Sequence, residues 1–251
     1  MYANIDLDEW PKCLYRAATT YDYWYANPSP MAQGRRRPDR CIGSRLVYRV
    51  CFLFWGKAEK ILKALEEKIL KEGTVLPGGI LKVGSFLNHQ IDTDFTMQMG
   101  QEIARLFADA HITRVLTIET SGIAIAFAAA FALHVPMVFA KKARTGNLSG
   151  ELYQVVVHSY THGVDYHVVV EKQLIRKDDR VLLVDDFLAN GKALLGLSEL
   201  VHMAGAEVVG AAVAIAKGFQ GGVDALRAKG LRVEALATIA HMEDGAIVFG
   251  G

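Results

Sequence analysis

The residues best suited to chemistry lie in one stretch, Val181-Leu182-Leu183-Val184-Asp185-Asp186-Phe187-Leu188-Ala189-Asn190-Gly191-Lys192-Ala193. Four apolar residues predict a buried strand, with two adjacent carboxylates at its carboxyl end. A loop of small residues follows, then a helix from Gly191 to Ala204. In a parallel α/β sheet, ligands bind outside the carboxyl ends of the strands. A loop of Ala, Asn and Gly lets backbone N–H groups close around a phosphate, and the helix N-terminus adds its dipole. Paired carboxylates beside such a loop suit ribose hydroxyls or a hydrated Mg²⁺. A solvated Asp-Asp turn would explain the two carboxylates alone but not the whole pattern.

Other candidates are weaker. Thr120-Ser121-Gly122 follows a short apolar strand and opens a helix, which makes an anion cradle. Lys141-Lys142 follow the next strand, where a solvated strand end is the alternative to an anion contact. There is no G-x-x-x-x-G-K-[ST] and no G-x-G-x-x-G after a strand. His158, His162 and His167 suggest a metal, but spacings of four and five put them on different faces of a strand, and exposed histidines are the better reading. Gly218 to Gly222 reads as a turn. Arg35-Arg36-Arg37 without a reading helix is weak evidence for nucleic acid.

The elements that must position these residues alternate. Helical spacing of Ile61, Leu62, Leu65, Ile69 and Leu70 predicts a helix from Ala58, stopped by Gly73. Val75 to Val83, broken by Pro77-Gly78-Gly79, reads as two short extended pieces. Helices are predicted over Thr93–His111, Gly122–His134, Gly191–Ala204 and Gly222–Lys229. Strands are predicted over Val115–Ile118, Val135–Ala140, Arg180–Val184, Glu207–Ala216 and Val233–Ile239. Tyr153–Tyr160 and Asp165–Glu171 read as an antiparallel pair. Alternation with continuous apolar strands argues an α/β fold whose central, mostly parallel sheet is flanked by helices on both faces.

Composition sets the outer bounds. The chain has 251 residues, a net charge of +1 and 51% apolar residues, which excludes a disordered or strongly basic class. Cys13, Cys41 and Cys51 have no C-x-x-C spacing, so neither a disulfide framework nor a zinc site is expected. No apolar run is long enough to span a bilayer or placed as a signal peptide, so a cytoplasmic chain is expected. The average hides a seam: every Trp and Cys precedes Lys57, whereas 20 of 23 Gly follow Gly56.

The thirteen-residue pattern resembles the phosphoribosyl-diphosphate (PRPP) signature of the type I phosphoribosyltransferases. Phe86-Leu87-Asn88-His89-Gln90, Ile118-Glu119-Thr120-Ser121-Gly122 and Lys217-Gly218-Phe219-Gln220 resemble the bacterial branch that takes xanthine. The likeness covers residue 62 onward and implies the family's fold, with a small hood formed by N- and C-terminal segments of the domain. It implies transfer of the 5-phosphoribosyl group from PRPP to xanthine, with release of pyrophosphate and inversion at the anomeric carbon. By that resemblance Ala189, Asn190, Gly191, Lys192 and Ala193 hold the 5-phosphate, and Asp185 and Asp186 meet the ribose hydroxyls. Thr120, Ser121 and Gly122 cradle pyrophosphate, with Lys141 and Lys142 toward it. Leu81, Asn88, Lys217 and Phe219 line the base, Lys217 donating to an oxopurine oxygen and Phe219 stacking. Mg²⁺ is held mainly by substrate, with Asp185 and Asp186 nearby, and Ala143 to Val155 form a lid with Gly146 and Gly150 as hinges. Most family members carry Thr or Ser where this chain has Ala189, Asn190 and Ala193, a departure that the xanthine branch shares. A homodimer is also implied.

Rival readings are a hypoxanthine/guanine or adenine phosphoribosyltransferase, and a PRPP-sensing transcription regulator of the same fold. The regulator would need a DNA-binding domain before the fold, and residues 1–60 lack the helical periodicity for one. Residues 1–61 are instead expected to be an atypical extension. Leu62 stands where relatives begin, and a TTG codon would serve there as a start.

Overall fold

The computed structural model describes residues 61–143, 151–159, 164–243 and 245–250. Residues 1–60 of the expected extension and Gly146 and Gly150 of the expected lid lie outside them, as does His162. A helix over 61–72, α1, is followed by the hairpin β1 (Thr74–Leu76) and β2 (Ile80–Lys82) and by a π-helical turn, Gly84–Asn88. Then come α2 (Thr93–Leu106), β3 (Arg114–Ile118), α3 (Gly122–Leu133), β4 (Met137–Ala143), β5 (Leu152–Ser159) and β6 (Val164–Glu171). After β7 (Arg180–Leu188) the chain forms α4 (Lys192–Met203), β8 (Glu207–Lys217), α5 (Gly222–Arg227), β9 (Val233–Glu243) and β10 (Ala246–Phe249).

The main sheet has eight strands in the order β10-β9-β8-β7-β3-β4-β6-β5. Pairings from β9 through β8, β7 and β3 to β4 are parallel, and the strands added at each end are antiparallel. Helices cover both faces, as strand–helix alternation requires. Successive side chains leave a strand on opposite faces, and β7 shows the consequence. Leu182 and Val184 join a core with α1, α2 and α3 through Leu65, Ile69, Met99, Ile103 and Ile125. Val181 and Leu183 join the other core, with Leu194, Leu197, Leu200 and Val201 of α4.

Local chemistry sets the element ends. The Asp92 side chain caps α2 by accepting from the Phe95 amide at 3.1 Å. Gly73 ends α1 where a Cβ would stand 2.4 Å from the Ile69 carbonyl oxygen. The expected helix Thr93–His111 stops at Leu106, because Phe107 leaves the helical conformation and packs down onto β8. Phe107 is buried against Gly210, where a Cβ would come 2.6 Å from its ring, and the Arg232 guanidinium lies 4.5 Å over that ring.

Three strands run further than their apolar cores suggest, because a partner continues the ladder. β7 includes Asp185 and Asp186, since Asp185 pairs with Val213 and Phe187 with Ile215. β4 includes Lys141 and Lys142, which pair with Val169 and Val168. β9 reaches Glu243 because β10, absent from the expected elements, folds back on it.

Candidate functional site

Four strands deliver their carboxyl ends to one region: β3, β4, β7 and β8. Asp185 and Asp186 stand at its centre, only 6% and 5% exposed. Burial pushes the Asp185 carboxyl well above the usual carboxylate range; the Asp186 charge beside it adds to the rise, and the Lys142 charge opposes it. The Asp186 amide donates to Asp185 Oδ1 at 3.0 Å. Asp186 accepts at both oxygens, from Ser121 Oγ at 3.0 Å and from Asn88 Nδ2 at 3.2 Å. One carboxylate therefore joins the β3–α3 turn, the central strand and the π-helical turn.

The β3–α3 turn approaches closely for a stated reason. A Cβ on Gly122 would lie 2.4 Å from Thr117 Oγ1 and 2.6 Å from Asp185 Oδ1, so glycine lets the first turn of α3 come down between them. Thr117 Oγ1 is buried and without a hydrogen-bond partner among the described residues. The Glu119–Thr120 peptide bond is cis. Glu119 Oε1 accepts from the Lys142 amide at 2.6 Å, tying this turn to β4. Lys141 and Lys142 are both exposed, and strand alternation sends them to opposite faces. Lys142 is the one whose charge reaches Asp185, and its Nζ lies 5.6 Å from the centre of the Tyr166 ring.

After β7, the loop from Ala189 folds back through Gly191, whose φ of +82° favours glycine. Asn190 Oδ1 accepts from the Lys192 amide at 3.1 Å, so this side chain shapes the loop from within. The loop is braced from behind: the Gly222 amide donates to the Ala189 carbonyl at 3.0 Å, and a Cβ on Gly222 would lie 2.2 Å from that oxygen. The result is a tight turn feeding the N-terminus of α4, the arrangement that offers backbone donors to a phosphate.

The hood appears as the β1–β2 hairpin meeting the end of β8. Lys217 Nζ donates to the Gly79 carbonyl at 2.9 Å, and burial pushes its ammonium below the ordinary value. The Phe219 ring, 41% exposed, stands near the hairpin tip, 3.5 Å from where a Gly79 Cβ would be. Leu81 is buried in β2. Phe187, which sequence reasoning passed over, has its ring centre 5.5 Å from Lys217 Nζ. Its position directly after the carboxylates on a strand end was the available signal. Thus Asp185, Asp186, Ser121, Gly122, Asn88 and Lys142 meet, while Lys217, Phe219 and Leu81 sit at the hood and Lys141 turns away. Of the three histidines, His167 pairs with Gln154 Nε2 at 2.8 Å, and among the described residues no group of three metal-ligating side chains occurs. A separate concavity of about 580 Å³ lies at the amino ends of β7 and β8, where Arg180 and Asp179 are already committed to partners.

Residues 91–233 match the model of the phosphoribosyl transferase domain. The chain is 52% identical over 188 residues to a xanthine phosphoribosyltransferase of Lactobacillus delbrueckii subsp. bulgaricus, covering 75% of this chain and 100% of that one. It is 47% identical over 192 residues to a protein of the same name from Lachnoclostridium phytofermentans, covering 76% and 99%. Among solved structures, the adenine phosphoribosyltransferase of Rhodothermus marinus superposes with a TM-score of 0.59 at 24% identity, covering 72% of this chain and 99% of that one. The Trypanosoma brucei enzyme, solved with AMP, pyrophosphate and ribose-5-phosphate, gives 0.59 at 19%, covering 73% and 88%. These two likenesses concern the fold.

Proposed function

This chain belongs to the phosphoribosyltransferase family, and from that premise we propose that it transfers the 5-phosphoribosyl group from PRPP to xanthine, yielding XMP and pyrophosphate in purine salvage. The observation that carries the reading is the buried Asp185–Asp186 pair at the end of β7, followed at once by the braced loop 189–193. The base nitrogen bonds to the anomeric carbon as the bond from that carbon to pyrophosphate breaks. No covalent intermediate on the protein is needed, so positioning and charge stabilisation dominate. The loop Ala189–Ala193 holds the 5-phosphate through backbone donors, and the carboxylates fix the ribose hydroxyls. Thr120, Ser121 and Gly122 receive the pyrophosphate, with Lys142 supplying positive charge. Lys217 donates to a base oxygen, and Phe219 and Phe187 offer aromatic faces.

Two carboxylates with no third acidic or histidine ligand among the described residues suit Mg²⁺, which keeps its waters and leans on substrate phosphates. Asp185 and Asp186 are the residues to hold it, and it supplies charge neutralisation for the departing pyrophosphate. The catalytic unit runs from Leu62 onward, a length close to the 188 residues over which a relative aligns. No helix among the described residues is long and apolar enough to cross a membrane, and the chain works in the cytoplasm. It pairs with a second copy through α3, whose Phe127 and Phe131 are 56% and 60% exposed and stacked on each other.

Initial rates with PRPP, Mg²⁺ and each of xanthine, guanine, hypoxanthine and adenine test the reading. The expected result is XMP formation at the highest kcat/KM. Preference for adenine would overturn the role given to Lys217.

A further inference from the structure

We propose that Thr117 is a positioning residue of the transfer site, whose hydroxyl hydrogen-bonds the Asp185 carboxyl when Asp185 takes the ribose of PRPP. The inference rests on the proposed role of Asp185 toward ribose. Thr117 is 0% exposed, and its Oγ1 has no hydrogen-bond partner among the described residues. A buried hydroxyl left unpaired costs free energy, so one at a functional site calls for a partner in another arrangement. Its place in the fold says which. The ladder between β3 and β7 runs from Arg114 to Leu116, whereas β7 goes on with β8 to Leu188. Thr117 stands one residue beyond the end of the first ladder, where the first turn of α3 comes down beside it.

The group within reach is Asp185. The point where a Gly122 Cβ would stand lies 2.4 Å from Thr117 Oγ1 and 2.6 Å from Asp185 Oδ1. The two oxygens are therefore no further apart than those lengths laid end to end, and glycine puts no side chain between them. A hydrogen bond between two oxygens spans about 2.8 Å, so about 2 Å of movement closes what remains. Asp185 Oδ1 already accepts from the Asp186 amide at 3.0 Å, and a carboxyl oxygen has room for a second donor. With both bonds made, the carboxyl is fixed from two sides and its other oxygen is left for the ribose hydroxyls. A hydroxyl donates to a carboxylate and accepts from a protonated carboxyl, so the role holds in either protonation state of Asp185.

The test crosses stability with rate in two variants. Thr117→Val keeps the shape and removes the hydroxyl, whereas Thr117→Ser keeps the hydroxyl and removes a methyl group. Without PRPP, the thermal midpoint of Thr117→Val should exceed that of the wild type by about 2 °C or more. That of Thr117→Ser should fall below the wild type. With PRPP, Mg²⁺ and xanthine, kcat/KM for PRPP should fall roughly tenfold in Thr117→Val and stay within about threefold of the wild type in Thr117→Ser. The more stable variant is then the slower one, a crossing that a packing role alone does not produce. A Thr117→Val that is more stable and as fast as the wild type overturns the proposal, because the hydroxyl then does nothing for the reaction. So does a Thr117→Val that melts lower or does not fold, because the hydroxyl then has a partner without substrate. A Thr117→Ser as slow as Thr117→Val also overturns it; if Thr117→Ser does not fold, Thr117→Val decides alone. A wild type that prefers another base overturns the xanthine assignment only, and the comparison is made with that base. A wild type that turns over PRPP with none of the four bases overturns the proposed function and this inference together.

Discussion

Asp185 links the chemistry to stability. Burial first, and the Asp186 charge second, raise its carboxyl above the ordinary range. A carboxyl whose folded value exceeds its unfolded value stabilises fully below the unfolded value, and that contribution is lost as pH rises through the folded one. Asp185→Asn removes the penalty at neutral pH and keeps an acceptor for the Asp186 amide. Its thermal midpoint, measured by calorimetry, should exceed that of the wild type by a margin that widens as pH rises above the ordinary carboxylate range, while turnover falls. A margin independent of pH would show that the Asp185 carboxyl is not raised. Gly122 gives a second prediction. A methyl group there collides with Thr117 Oγ1 and Asp185 Oδ1, so Gly122→Ala should lower kcat/KM by about 100-fold, with circular dichroism still native. At this scale much of the site was legible. Adjacent carboxylates before a small-residue loop have few other uses, and they carried Asp185, Asp186 and the loop. What stayed hidden depends on contacts from distant chain, such as Ser121 and Asn88 meeting on Asp186, or Phe187 beside Lys217.

Between elements, Asp179 fastens β3 to the entrance of β7. It accepts from Arg114 Nε at 2.8 Å, Thr113 Oγ1 at 2.9 Å and the Arg176 amide at 2.7 Å. Burial pushes its carboxyl up, but the Arg176 amide, Arg114 and Thr113 outweigh that and hold it below the ordinary range. Its contribution is thus present above the unfolded value and lost as pH falls through the folded one. Asp179→Ala leaves the half-buried Arg114 without its partner and should cost about 3 kcal/mol in urea unfolding at pH 7. The cost should shrink in acid. Helices were legible where one face repeats, as along α1, and strands where an apolar run is unbroken, as along β7. Ends were not, because a ladder continues as long as its neighbour does. Lys141, Lys142, Asp185 and Asp186 read as loop residues by composition and are strand residues by pairing. β10 escaped notice for the same reason: four residues without a strong period become a strand only because β9 lies beside them.

For the molecule as a whole, α3 carries no charged side chain, and its outer face shows Phe127 and Phe131. A helix apolar all round belongs inside something. Phe131→Glu should therefore halve the mass seen by sedimentation equilibrium without altering the secondary structure, and an unchanged dimer would move the interface elsewhere. The order in which the chain is made gives the Lys217–Gly79 hydrogen bond a further meaning. Its two ends lie 138 residues apart, with the carboxylates and the loop 189–193 between them. During synthesis Asp185, Asp186 and that loop leave the ribosome before Lys217 does. The contact that ties the hairpin to the end of β8 is therefore closed only after the central strand and its loop have been made.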